Sequence, residues 1–105
     1  MNLKTKRQIR NLTYHLIKNG RIKTSVSHAR VLKKRTERLI SKASRDTVAA
    51  RRYAARKLPP DGVERLFTEI GPACASRPGG YTRMLRIGRR QGDARQMCIL
   101  EIIDV

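Results

Sequence analysis

The sequence predicts an α+β domain in which four helices lead into a β-hairpin, and three observations predict it. Apolar residues recur at helical spacing from Ile9 to Ile70. Residues that end helices, Asn19-Gly20, Pro59-Pro60 and Gly71-Pro72, divide that stretch into segments. Beyond Gly80 the period changes: "YTRMLRI" (81–87) and "QMCILEII" (96–103) alternate or run apolar, and glycine-bearing turns bound both. At 105 residues the chain is a single domain, 1–105, with a modest core. That core must be mostly aliphatic, because the only aromatics are Tyr14, Tyr53, Phe67 and Tyr81.

Between Thr5 and Lys18, Ile9, Leu12, Leu16 and Ile17 fall on one face of a first helix, and Gly20 suits the left-handed cap that stops it. "RIKTS" (21–25) is short and basic, a brief strand or an extended connector. Ser25 or Ser27 caps a second helix running to about Ser44. Val26, Ala29, Leu32, Thr36, Leu39, Ile40 and Ala43 share one side of it, while Arg30, Lys34, Arg35, Arg38 and Lys42 gather opposite. Asp46 is expected to cap an alanine-rich third helix through Leu58, which Pro59-Pro60 ends. Asp61-Gly62-Val63-Glu64 has the form of a capping box for a fourth, shorter helix that stops at Gly71-Pro72. "GRRQGDA" (88–94) then joins the two strands of the hairpin.

Lysine and arginine number 25 against eight acids, a net charge of +17, far beyond what solubility requires. Residues 1–60 carry 18 of those bases against Glu37 and Asp46 alone, so the basic surface belongs mainly to the first half. A polyanion is the natural counterpart. Other classes find little support. His15 and His28 lie in different helices without a nucleophile partner, and the acids form no spaced pair suited to proton transfer, so no catalytic residue is assigned. Cys74 and Cys98 are far apart with no CxxC, which reads as two buried apolar side chains rather than a metal or disulfide site. No nucleotide cradle appears around Gly79-Gly80 or Gly88, and neither a cofactor nor a small-molecule substrate is expected. No apolar run has the length of a membrane span, so no membrane partner is expected. The first 18 residues are basic and acid-free, as a transit peptide is, but residues 9–20 already read as a finished helix with a stop.

Two groups of cations carry the functional signal. Arg30, Lys34, Arg35 and Arg38 form a stripe that can straddle successive phosphates, and Glu37 is the only acid among them, unlike the mixed charges of a merely solvated face. Arg7 and Arg10 extend the basic surface onto the first helix. Arg77, Arg83, Arg86, Arg89 and Arg90 sit on or beside a strand and tight turns, where guanidinium forks can bind phosphate in bidentate fashion. Tyr81 either stacks on a base or fills the edge of the core. Few amides are placed to read base edges, which favours a folded RNA recognised through its backbone. A free DNA-binding, nucleoid-type protein is the alternative, although no compact helix-turn-helix is visible.

"RNLTYHLIKNGRIKTSVSHARVLKKRTERLISKA" together with "PGGYTRMLRIGRRQGDARQMCILEIID" resembles the family of the seventeenth protein of the bacterial-type large ribosomal subunit, from about Arg7 to Asp104. The resemblance implies about four helices on a small mixed β-sheet that includes the C-terminal hairpin. It implies a structural constituent of the large subunit that supports ribosome assembly and translation, near the peptide exit region. Its partners would be large-subunit ribosomal RNA and neighbouring large-subunit ribosomal proteins, in the cytoplasmic ribosome or that of an organelle. Lys23, Thr24, Arg30, Tyr81, Arg83 and Arg86 match family positions and are the RNA contacts it suggests. The chain departs from the pattern in three places. Met1 to Lys6 stand where relatives usually carry an arm resembling Arg-His-Arg-Lys, His28 replaces a usual lysine or arginine, and Val105 falls short of the tail seen in many relatives.

Overall fold

The computed structural model describes residues 3–77 and 79–103; Met1, Asn2, Pro78, Asp104 and Val105 lie outside them. Helix α1 (Leu3–Asn19) buries Ile9, Leu16 and Ile17 completely and already includes Lys4 and Lys6 of the segment ahead of Arg7. Thr13 can share that buried face because its hydroxyl donates to the Ile9 carbonyl one turn back at 2.7 Å. Gly20, at φ 84°, closes the helix with an amide that donates to the Leu16 carbonyl at 2.8 Å.

"RIKTS" forms strand β1 (Arg21–Ser25), and α2 (Val26–Ala43) follows without a loop. Ser25 caps α2 by accepting from the His28 amide. The residues buried along α2 are the seven expected from periodicity, Val26 to Ala43. Helix α3 (Val48–Lys57) is capped by Thr47, whose hydroxyl accepts from the Ala50 amide at 3.1 Å, and not by Asp46. Asp46 takes a left-handed turn conformation (φ 41°), which points its carboxylate at Arg51 instead, 2.8 Å away. The fourth helical stretch, α4, runs through α-helical Pro60–Arg65, π-helical Leu66–Ile70 and α-helical Gly71–Cys74. Its cap is Pro59, not Asp61, because Pro60 fits the first helical position where no amide is needed. Asp61, one residue in, accepts from the Gly62 amide and from the Tyr14 hydroxyl at 2.5 Å.

Gly71-Pro72, expected to stop this helix, lies inside it. A regular helix would drive the proline ring into the carbonyl four residues back, whereas the π-turn widens the spiral, and the Gly71 amide reaches the Leu66 carbonyl five residues away. Gly71 also lies against α2: a Cβ there would sit 3.1 Å from the Ala43 carbonyl oxygen. The bare Cα lets the two helices touch.

Strands β2 (Thr82–Arg89) and β3 (Gln96–Ile102) make the expected hairpin, and the sheet order is β1-β3-β2. Both pairings are antiparallel, where the resemblance implied a mixed sheet, because β3 runs back along β1 until the Ile102 amide meets the Gly20 carbonyl at 2.8 Å. In register, Ile22, Leu100 and Met84 face the helices together with Cys98 and Ile102. Arg21, Glu101 and Arg83 line the opposite face, beside Lys23, Ile99 and Leu85. Helix α2 touches all three strands. Cys74 and Cys98 are fully buried and form no disulfide with each other, as their sequence context suggested. Beyond Met84 every residue of β2 is exposed, so the distal half of the hairpin projects past the helical layer and bulges between Arg86 and Gly88.

Two polar residues on the core side of α2 contrast with each other. Thr36 is fully buried and its hydroxyl has no hydrogen-bond partner among the described residues. Glu37 is tied to the sheet: Oε1 accepts from the Thr82 amide at 3.1 Å and from the Thr82 hydroxyl at 3.0 Å. The acid that stood out among the bases of α2 is therefore a fastener between helix and strand.

Candidate nucleic-acid interface

Helical geometry places Arg30, Lys34 and Arg38, four residues apart, along one exposed ridge of α2, with Arg35 half-buried beside them. Arg10 approaches from α1 and Lys57 from the last turn of α3, and with Lys34, Arg35, Arg38 and Tyr53 they surround a cleft of about 150 Å³. Thr13 and Leu39 complete its lining, and no carboxylate is among the lining residues. Among the described residues none of these five cations is in an ion pair. Arg7 is exposed one turn before Arg10 on α1. Lys42, at the end of the stripe, lies over the Tyr53 ring at 4.6 Å.

The hairpin carries the second cluster. Lys23 from β1 meets Arg89 and Arg90 around a shallow hollow beside Gly88, and Arg86 lines an adjoining one. Arg83 is held on the open face of the sheet by the Glu101 directly across from it, with Nε 2.6 Å from the carboxylate. Arg90 pairs with Asp93 inside the turn, and Arg77 is half-buried ahead of the hairpin. Two sequence candidates are not on this surface. Thr24 and Tyr81 are each only 6% exposed. Tyr81 fills the edge of the core, where its hydroxyl donates to the Arg77 carbonyl at 3.2 Å, the second of the two roles the sequence allowed.

Sequence reasoning missed the part α3 takes in the cleft. Lys57 and Tyr53 were visible only as members of a basic, alanine-rich helix. Nothing in their spacing says that α3 folds back against the cationic side of α2. The reversal itself is made at residues 44–47, where Asp46 takes a left-handed conformation (φ 41°) that the local composition does not announce.

Several of the acids, by contrast, are engaged in holding the frame. Tyr14, with Lys18 at 3.4 Å, keeps the Asp61 carboxyl below its usual range, and Arg51 does the same for Asp46. Asp93 is drawn from the usual 3.8 to about 2, first by the Arg90 guanidinium and then by the Arg95 amide, which donates to Oδ1 at 3.1 Å. A carboxyl with a lowered folded pKa stabilises above its unfolded value, and that contribution fades as pH falls toward the folded one. The turn at 90–95 is therefore expected to keep its order down to about pH 4 and lose it between about pH 4 and 2. The Arg95 amide shift, followed by NMR through an acid titration, checks this; a midpoint near the ordinary aspartate value would show that the Arg90 contact is absent in solution.

Among the described residues no three His, Cys, Asp or Glu side chains come together to hold a metal, and no helix is long and apolar enough to cross a membrane. Comparison with known proteins gives a consistent result. The family described as Ribosomal protein L17 matches residues 8–103. The large ribosomal subunit protein bL17 of Finegoldia magna is 42% identical over 97 residues, which cover 91% of this chain and 74% of that protein. Its counterpart in Gemmatimonas aurantiaca is 44% identical over 96 residues, covering 90% and 81%. The Cutibacterium acnes protein is 44% identical over 96 residues, but this chain spans only 54% of its length.

Proposed function

This chain belongs to the ribosomal protein L17 family, and on that premise we propose that it binds large-subunit ribosomal RNA through backbone phosphates, as a structural constituent of the large subunit near the peptide exit region. The observation that carries the reading is the gathering of Arg10, Lys34, Arg35, Arg38 and Lys57 from three helices with no acid between them. Phosphates brought to such a surface release condensed counterions, and guanidinium forks fix their geometry. The cations of the hairpin belong to a different part of the same rigid frame, so one molecule can hold two RNA segments in a set relation. The contact set is Arg7, Arg10, Lys23, Arg30, Lys34, Arg35, Arg38, Arg77, Arg83, Arg86, Arg89 and Arg90; the buried Thr24 and Tyr81 support these from beneath. Neighbouring large-subunit proteins are the second class of partner, and the exposed Leu85 and Ile87 of β2 offer them an apolar surface.

Sedimentation of a cell extract tests the assignment against the DNA-binding alternative. The protein is expected to comigrate with large subunits and to stay with them in moderate salt. Recovery with chromosomal DNA instead would overturn it.

A further inference from the structure

The cleft between α1, α2 and α3 has a more specific chemistry than the charge spread around it. We propose that it is a socket for a single phosphate group projecting from a bent strand of the bound RNA, a role that deepens the RNA-binding reading and rests on it. Four features converge on this. The lining offers hydrogen-bond donors almost exclusively: three guanidiniums, two ammoniums and the Tyr53 hydroxyl, which has no partner among the described residues. The hydroxyl of Thr13, the remaining polar group of the lining, is already bonded to the Ile9 carbonyl. Gathering so many like charges in a half-enclosed space raises the energy of the free protein, and an anion is the ligand that relieves it. The cleft is half-open to solvent, with a volume of about 150 Å³, and so admits a phosphate group from outside.

The socket therefore differs from the ridge of α2 in what it selects. Arg30 on the open ridge can meet any phosphate that comes near, whereas a recessed site is reached only where the RNA backbone turns sharply enough to present a phosphate outward. Lys57 and Tyr53, from a helix outside the basic stripe, are the residues that separate the two arrangements.

Lysine acetylation read by mass spectrometry tests this on the full chain, alone, with inorganic phosphate and with large-subunit ribosomal RNA, alongside filter binding. RNA is expected to reduce the reactivity of Lys57 and Lys34 several-fold and to leave that of Lys18, which pairs with Asp61 and does not line the cleft, unchanged. Lys57→Gln, at an exposed position, should lower RNA affinity about tenfold with unchanged circular dichroism. If RNA is retained on the filter while Lys57 keeps full reactivity and K57Q binds normally, the socket is overturned and the RNA-binding reading stands. If no RNA is retained by the wild type, the reading beneath the proposal fails. If inorganic phosphate protects Lys57 and RNA does not, the site takes a free anion and the assignment to an RNA strand is overturned.

Discussion

Replacing Arg30, Arg35 and Arg38 together by glutamate is expected to abolish binding to large-subunit ribosomal RNA while leaving the helix content intact. Arg30 and Arg38 lie on the exposed ridge of α2 and Arg35 is half-buried beside it, and none of the three is among the buried residues of the helix. Glutamate is as good a helix former as arginine, and near the start of α2 a negative charge interacts favourably with the helix dipole. On the binding side, each lost phosphate contact takes roughly 0.9 from the slope of log affinity against log salt on a duplex, so three contacts are worth a change of about 2.7. Repulsion between the new carboxylates and RNA adds to that loss. Filter binding across a salt series, with circular dichroism on the same samples, separates the two effects. Affinity and salt slope equal to the wild type's would remove α2 from the interface and leave the hairpin as the binding surface.

That prediction uses a surface already legible in the sequence, and other parts of the molecule were not. The buried face of α2 could be read residue by residue because helical periodicity alone decides which side chains share a side. The hairpin could be read because glycines bound a change of period at Gly79-Gly80 and at Gly88 and Gly92. Caps were a different matter. Asp46 and Thr47 are both competent, and the choice fell to backbone conformation at Asp46, which local composition does not fix. Gly71-Pro72 carries the strongest stop signal of the helical half, yet packing of Gly71 on the Ala43 carbonyl keeps the helix going through a π-turn. The phosphate-sized cleft needs α1, α2 and α3 at once, and the sequence order of Arg10, Lys34 and Lys57 contains no trace of their meeting. Tyr81 shows the opposite limit: a residue matching a family position is buried at the edge of the core instead of exposed for contact.

Glu37 supplies the second large effect, this time on stability. Glu37→Ala is expected to destabilise the fold by about 1–3 kcal/mol, because it leaves the amide and hydroxyl of the buried Thr82 without their shared acceptor. Glu37→Gln keeps an acceptor oxygen and should lose less, since only the charge-assisted part of the two bonds disappears. The neighbouring position gives a contrast of opposite sign. Thr36→Val replaces a buried hydroxyl that has no partner among the described residues with a methyl group of the same shape, so it should be neutral or stabilising by up to about 1 kcal/mol. Urea unfolding of the three variants measures all of this. If Glu37 were only a counter-charge in the basic stripe, E37A would unfold with the wild type's midpoint and bind RNA more tightly through its extra unit of positive charge. A lowered midpoint with RNA affinity maintained in the folded fraction identifies the carboxylate as the clamp that sets β2, and with it the arginines of the hairpin, at a fixed position relative to the cations of α2.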